Sequence, residues 1–198
     1  MTHWERLARE RLSEPRYLHV CGVVESASDL AARYGVDPEK CRIAAWLHDI
    51  LREVPAAQLR SLMEESGQPL PDGNAVTWHG PVTAARLHLD FGVSDDQIRL
   101  AIAHHTLGHP DMDEVAQVLF VADAIESGRM FAGVERLRAA ARIDLLLAVA
   151  CVADASIQFL LERRETIALQ TVALRNRAWL GIDETVAMAY SETIKMIP

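Results

Sequence analysis

The sequence has few of the features that mark secreted or membrane proteins. Its three cysteines are scattered, odd in number and without a CxxC pair, so they indicate no disulfide framework. No uninterrupted apolar run reaches the roughly 18–20 residues that cross a bilayer. The start of the chain lacks the basic stretch and apolar run of a secretory signal. We therefore expect a cytoplasmic protein with no membrane partner.

Positive charge and strand-like patterns are also scarce. The formal net charge of −8 argues against a broad nucleic-acid-binding surface, although a metal ion and a few arginines can still bind a small anion. The sequence has no sustained alternation of apolar and polar residues, which would indicate strands, and the abundance of Ala, Leu, Arg and Glu favours helix. We predict an all-α helical bundle. The length favours a single domain over 1–198, with a core at about 14–178 and a C-terminal helical extension at 179–198.

Capping residues, prolines and glycines predict where the helices begin and end, with Gly35 ending the helix that begins at Glu14 and Gly92 ending the one that begins near His79. Asp37 followed by Pro38 is typical of an N-cap and the first helical position, and it begins the helix that carries His48 and Asp49. Ser94 begins a capping-box pattern. The last two long helices are predicted over 134–161 and 166–178. In chain order, the predicted helices begin at Glu14, Asp37, Pro55, His79, Ser94, Asp111, Val134 and Thr166.

An imidazole and a carboxylate lie side by side where an apolar helical stripe is expected to continue. Cys41, Ala44 and His48 are spaced i, i+3 and i+7, so one helix face carries them, and Asp49 follows directly. A buried acid beside a histidine needs a partner, because an unpaired charge in a low-dielectric interior is costly. A divalent cation would satisfy both groups. By itself the pair is a weak signal.

Four more groups of the same two types occur near the ends of helical segments. His105 extends an apolar stripe, Asp123 interrupts another, His19 lies beside a third, and His79 stands at the start of a helix. Taken singly, a buried histidine is more often a hydrogen-bonded core residue than a ligand, and His79 is readily explained as a helix-start residue. Six such donors on or beside the core-facing stripes of five helical segments favour a shared metal site.

Taken in order, several stretches resemble the HD-domain metal-dependent phosphohydrolase superfamily, and within it the YqeK family of symmetrical diadenosine tetraphosphate hydrolases. The HD pair alone is shared by many families, whereas the ordered set is much narrower. The chain departs from the family pattern at Trp46, Arg52, His104 and Ser127, and none of these removes an expected ligand. The matching stretches are 16–19, 44–53, 78–82, 101–108, 122–129 and 171–176.

The resemblance implies an HD-domain bundle with a buried binuclear metal site. Asp49 would bridge two divalent ions, with iron the expected metal, although the mixed nitrogen and oxygen set also admits manganese, zinc, nickel or cobalt. Asp49 and Arg52 are the implied catalytic residues. The implied metal ligands are His19, His48, Asp49, His79, His105 and Asp123, and the implied substrate contacts are Arg52, Thr106, Gly108 and Arg129.

The implied function is hydrolysis of diadenosine tetraphosphate into two ADP. A metal-bridging hydroxide would attack a phosphorus that flanks the central bridge. One alternative is an HD phosphohydrolase for another nucleotide, such as a nucleoside monophosphate; another is a non-catalytic module that binds metal or nucleotide. The expected partner is a small nucleotide rather than nucleic acid, and a homodimer is left open.

Overall fold

Every regular element in the described residues is helical, which confirms the predicted fold class. The computed structural model describes residues 2–70 and 74–197, so the two ends of the predicted domain and positions 71–73 lie outside it. A short 3-10 helix (Ala75–Thr77) precedes α5. The α-helices are α1 (His3–Arg11), α2 (Glu14–Tyr34), α3 (Pro38–Leu47), α4 (Ala56–Glu65), α5 (His79–Phe91), α6 (Asp96–His104), α7 (Glu114–Ile125), α8 (Val134–Ile143), α9 (Leu145–Arg163), α10 (Leu169–Gly181) and α11 (Glu184–Ile194).

Helix α7 lies at the centre of the bundle. It is apolar on nearly every side, and the run from 118 to 122 is buried throughout, as expected for a helix with no polar face. Helices α2, α3, α6, α8 and α9 all pack on it. Helix α5 packs on α6, α10 packs on α9, and α11 packs on α8. This arrangement brings α2, α3, α6 and α7 together around one buried region, with α3 and α7 each in contact with the other three helices.

Several predicted helix boundaries are confirmed by their caps. The Asp37 side chain accepts hydrogen bonds from the N–H groups of Glu39 and Lys40, and Pro38 is the first residue of α3. Gly35 and Gly92 end α2 and α5 in left-handed conformations with φ of 69° and 68°. A side chain disfavours that region of backbone space, which is why glycine is common after a helix.

One predicted N-cap, at Ser94, and one predicted helix start, at Asp111, are wrong because a neighbouring aspartate makes the capping bonds. Asp95, rather than Ser94, accepts from the first-turn amides of α6, and the Ser94 hydroxyl instead pairs with the His88 ring. Helix α7 begins after Asp113, whose carboxylate caps it, and not at Asp111. The first N–H groups of a helix have no partner within the helix, and in α6 and α7 the carboxylates of Asp95 and Asp113 are the ones within hydrogen-bonding distance of them.

Other corrections concern helices that the pattern merged, shifted or missed. The helix predicted over 134–161 is broken at Asp144, which is extended (φ −156°, ψ 141°) and caps α9 by accepting from the N–H of Leu147. Helix α10 begins at Leu169, three residues later than the predicted Thr166. Helix α1 has no counterpart among the predicted helices.

Helix α9 is long and apolar enough to span a membrane by length and composition alone. Among the described helices it is the one with this property, with a mean hydropathy of 1.8 over an 18-residue window. The core helix of a bundle passes the same test, and α9 packs on α7, α8 and α10. Its Asp154 carboxylate accepts hydrogen bonds from Arg175 and Trp179 of α10. These bonds tie α10 to the bundle.

Candidate metal centre

His48 and Asp49 lie in the turn that directly follows α3, rather than within the helix as predicted. Both are buried. The His48 Nδ1 atom is 2.7 Å from the main-chain oxygen of Ala45, so that bond fixes the ring. The His48 Nε2 atom is buried, has no hydrogen-bond partner among the described residues, and lies 3.6 Å from Asp49 Oδ2.

His79 and His105 approach the same carboxylate from α5 and from the end of α6. Their Nδ1 atoms lie 3.0 and 2.8 Å from the main-chain oxygens of Val76 and Ile102. Their Nε2 atoms lie 3.0 Å from each other. Asp49 Oδ1 is 3.0 Å from the Nε2 of His79 and 3.7 Å from that of His105. Two residues that are 26 positions apart therefore meet at one oxygen of Asp49.

His19 and Asp123 complete the cluster from α2 and α7. His19 Nε2 is 3.1 Å from Asp123 Oδ1 and 3.8 Å from Asp49 Oδ2. On the other side of the ring, His19 Nδ1 is 3.2 Å from Glu126 Oε1. Gly22, one turn after His19, leaves room for that carboxylate, because a Cβ at Gly22 would lie 2.5 Å from Glu126 Oε2.

The structure brings all six predicted ligand residues together. They form three overlapping groups, in each of which the potential ligand atoms lie within 4.8 Å of one another. Each group shares at least one member with the others, so the groups form one continuous centre. The groups are His19, His48 and Asp49; His48, His105 and Asp123; and Asp49, His79 and His105.

The chemistry of the donor set fits divalent metal ions. A ring nitrogen that faces a main-chain carbonyl must carry the proton, so the Nδ1 bonds of His48, His79 and His105 leave each Nε2 as an unprotonated donor facing the centre. A buried nitrogen without a partner, as in His48, costs free energy unless something binds it. Neutral imidazoles and carboxylates are ligands for borderline divalent cations.

The pKa values of Asp49 and His48 keep these two residues in the forms that bind metal. Burial alone would raise the pKa of the Asp49 carboxyl, but the adjacent His48, together with His105 and His79, outweighs the effect of burial and holds that pKa well below its usual range. Burial lowers the pKa of His48 to about 4. At neutral pH Asp49 is therefore an anion and His48 is neutral, which are the forms that coordinate a cation.

Two residues that contact the centre were not predicted as site residues. The Arg16 guanidinium donates to Asp49 Oδ2 at 2.8 Å, and Glu126 faces the outer nitrogen of His19. Helical spacing is a signal that could have found both, because Arg16 precedes His19 by three residues and Glu126 follows Asp123 by three.

The predicted substrate residues lie in three different settings. The Thr106 hydroxyl is 3.0 Å from His105 Nε2, at the centre itself. Arg129 donates to the main-chain oxygen of Asp123 at 2.9 Å and to its Oδ1 at 2.7 Å. Arg52 donates to the main-chain oxygen of Val76, on the segment that leads to α5.

Gly108, the fourth predicted substrate residue, shapes the turn after α6. It has a φ of 68°, and a Cβ there would overlap the Leu174 side chain of α10. Its main-chain oxygen accepts a hydrogen bond from Gln170. Gly108 therefore lies in the turn and packs against α10.

Comparison with known families agrees with this geometry. The family model for the HD domain matches residues 16–128. The chain belongs to the HD-domain family. The matched segment contains all six residues of the centre and ends one residue before Arg129.

Relatives extend the similarity of this HD-domain chain beyond the matched segment. It is 35% identical over 184 residues to a protein of Bacillus subtilis named symmetrical bis(5'-nucleosyl)-tetraphosphatase, an alignment that spans 91% of this chain and 98% of the relative. A protein of the same name from Staphylococcus aureus is 35% identical over 136 residues, or 68% and 70% of the two chains. These matches confirm the narrower family resemblance.

A solved structure shows the same fold. The crystal structure of an HD superfamily hydrolase from Clostridium acetobutylicum, described as involved in NAD metabolism, superposes with a TM-score of 0.84 and is 32% identical. The match covers 90% of this chain and 97% of the other. The HD-type helical bundle is therefore confirmed over nearly the whole chain.

Proposed function

We propose that this protein is a metal-dependent hydrolase that cleaves diadenosine tetraphosphate symmetrically into two ADP. The observation that carries the proposal is the convergence of six histidine and aspartate side chains, Asp49 among them, at one centre. The substrate is proposed from the relatives, since proteins named for this activity align with nearly the whole chain at 35% identity.

We further propose that the centre holds two divalent ions, with iron the preferred metal. His19, His48 and Asp123 would serve one ion, His79 and His105 the other, and Asp49 both. Bound divalent ions lower the pKa of water towards neutrality and neutralise charge on phosphoryl oxygens. Two of the three ligand groups share Asp49, one with His19 and His48 and the other with His79 and His105, and this supports a count of two ions rather than one.

The residues of the chain itself would orient the substrate. The Thr106 hydroxyl, beside His105 Nε2, is placed to donate to a phosphate oxygen. Arg129 and Arg52 supply positive charge for the tetraphosphate, and guanidinium groups suit this task because they form paired, charge-assisted hydrogen bonds. Arg129 pairs with the Asp123 carboxylate. The pKa of Asp49 lies well below its usual range, so Asp49 is ionised at neutral pH.

The products of the reaction test this proposal against its alternatives. The purified protein, loaded separately with iron, manganese, zinc, nickel or cobalt, would be incubated with diadenosine tetraphosphate and the products separated by chromatography. We expect ADP alone. ATP with AMP would refute symmetrical cleavage. Release of phosphate from nucleoside monophosphates in preference would favour a nucleotide phosphatase, and binding without turnover in any metal would favour a non-catalytic module.

A further inference from the structure

The turn between α6 and α7 has one side at the metal centre and another against α10. On the first side, the Thr106 hydroxyl lies beside the His105 ring. On the second side, two main-chain oxygens accept hydrogen bonds from the first turn of α10. Thr171 Oγ1 donates to the main-chain oxygen of Leu107 at 2.7 Å. Gln170 Nε2 donates to the main-chain oxygen of Gly108 at 2.9 Å. Helix α10 therefore holds the turn from behind.

Close packing accompanies these bonds. Thr171 and Leu174 are buried, with 4% and 3% of their surfaces exposed. A Cβ at Gly108 would overlap Leu174, so the turn cannot move closer to α10 without displacing it. The N–H of Gly108 also donates to the main-chain oxygen of His104 at 2.7 Å, which closes the turn directly after α6. The contact with Leu174, the two hydrogen bonds from α10 and the hydrogen bond within the turn together restrict the conformation of the turn.

We propose that Thr171 is a positioning residue for the metal centre. Through the Leu107 oxygen it keeps the turn in the conformation that directs the His105 ring and the Thr106 hydroxyl at the centre. The inference rests on the proposed function only in taking His105 as a metal ligand. Helix α10 lies outside residues 16–128, so the device comes from a part of the chain beyond the HD-domain match.

The physical basis is the cost of leaving a partly buried carbonyl unpaired. Loss of the Thr171 hydroxyl would leave the Leu107 oxygen without its donor, and the turn would relax towards other partners or water. Groups that orient a metal ligand from behind typically change metal affinity by about 10–100-fold when removed. Because Thr171 reaches His105 through two residues of backbone, we expect an effect at the lower end of that range.

Three variants of the full chain test the inference. Thr171→Val removes the donor and keeps the shape, Thr171→Ser keeps the donor, and Thr193→Val is the matched control. The Thr193 hydroxyl also donates to a main-chain oxygen, that of Ala189 at 2.8 Å, but within the exposed helix α11. Manganese affinity by calorimetry, the melting temperature of the metal-free protein, and kcat and KM for diadenosine tetraphosphate would be measured for each.

We expect Thr171→Val to bind manganese about tenfold more weakly and to lose about tenfold in kcat, with KM within about twofold. Thr171→Ser should recover to within about threefold of the wild type, and Thr193→Val should match the wild type. Wild-type manganese affinity in Thr171→Val would overturn the inference, even if its melting temperature fell, because a purely structural role moves only the latter.

A fourth variant, Gln170→Leu, covers the case in which Thr171→Val does not fold. Gln170→Leu removes the neighbouring bond at a half-buried position, and we expect it to weaken manganese binding about threefold. Unchanged affinity there would then overturn the inference. If the wild type binds manganese but does not cleave the dinucleotide, the proposed function fails, while the manganese affinities still decide the role of Thr171.

Discussion

The Nε2 atoms of His79 and His105 lie 3.0 Å apart, although the Nδ1 atom of each ring already faces a main-chain carbonyl. With both protons used on the outer side, two lone pairs face each other in a buried space. Such a contact is repulsive unless a cation lies between the nitrogens or one ring takes up a second proton. The cluster is therefore expected to depend on metal for stability as well as for chemistry.

Removal of metal should lower the melting temperature. A ligand at 100 times its dissociation constant stabilises the native state by about 2.7 kcal/mol, which for a chain of this length corresponds to about 5–10 °C. Differential scanning calorimetry before and after chelation, followed by restoration with manganese, measures the shift. An identical melting temperature in the presence and absence of metal would contradict the metal centre.

Asp49→Ala should abolish metal-dependent hydrolysis and leave the helical content of the protein intact. The carboxylate lies among four imidazoles and the Arg16 guanidinium, so its removal deletes the anion common to two ligand groups. Manganese affinity should fall by more than about 100-fold. Asp90→Ala, which removes a carboxylate paired with Arg86 on α5, is the control. Unchanged turnover in Asp49→Ala would rule out its assigned role.

Glu126→Gln should weaken metal binding without removing a ligand. Glu126 accepts from the outer nitrogen of His19 and so keeps the inner nitrogen free to coordinate. We expect about a tenfold loss of manganese affinity, and a larger loss for Glu126→Ala. Glu192→Gln, at an exposed pair with Lys195 in α11, is the matched control. Equal affinities in all three proteins would show that the His19 ring is oriented by other contacts.

Replacement of Arg52 and replacement of Arg129 should have different effects on KM and on manganese affinity. Arg52→Ala should raise KM for diadenosine tetraphosphate by about tenfold, because loss of one charge-assisted contact costs roughly 1.4 kcal/mol or more, and should leave manganese affinity within about twofold. Arg129→Ala should change both quantities, since Arg129 also pairs with Asp123. Steady-state kinetics and calorimetry on the same preparations distinguish the two. An Arg52→Ala enzyme with wild-type KM would remove that residue from the substrate site.

Glu53 predicts a pH-dependent contribution to stability. Bonds from the side chain and main chain of Ser13 lower the pKa of Glu53. A carboxyl whose pKa is lower in the folded state stabilises the fold above its unfolded-state pKa, and that stability is lost as the pH falls through the folded-state pKa.

The Glu53→Gln variant measures this contribution. Because Glu53 is exposed, solvent screening limits the expected loss to about 0.5–1 kcal/mol at pH 7. Urea unfolding at pH 7 and near pH 4 should show the gap between wild type and variant narrowing at the lower pH. A gap that widens on acidification would contradict the sign of the shift.

Local sequence patterns were sufficient for the helical fold and for singling out the six histidine and aspartate residues that meet at the centre. His105 and Asp123 could be assigned because each stands on an apolar stripe, and a polar ligand type on a buried face signals that something must satisfy it. The same reasoning failed at Asp144, where the apolar period continues across a break. The spacing of apolar residues indicates which face of a helix is buried, but it does not detect a single extended residue, such as Asp144, at which one helix ends and the next begins.

The sequence by itself determined that this is a helical protein with six histidine and aspartate residues on or beside inward faces, because helical period is a local property of the chain. Only the tertiary structure decided which groups meet: Arg16 with Asp49, Glu126 with His19, and Thr171 with the turn that bears His105. These pairs are joined by packing between helices distant in sequence. Their distances depend on crossing angles and rotamers that no local pattern encodes.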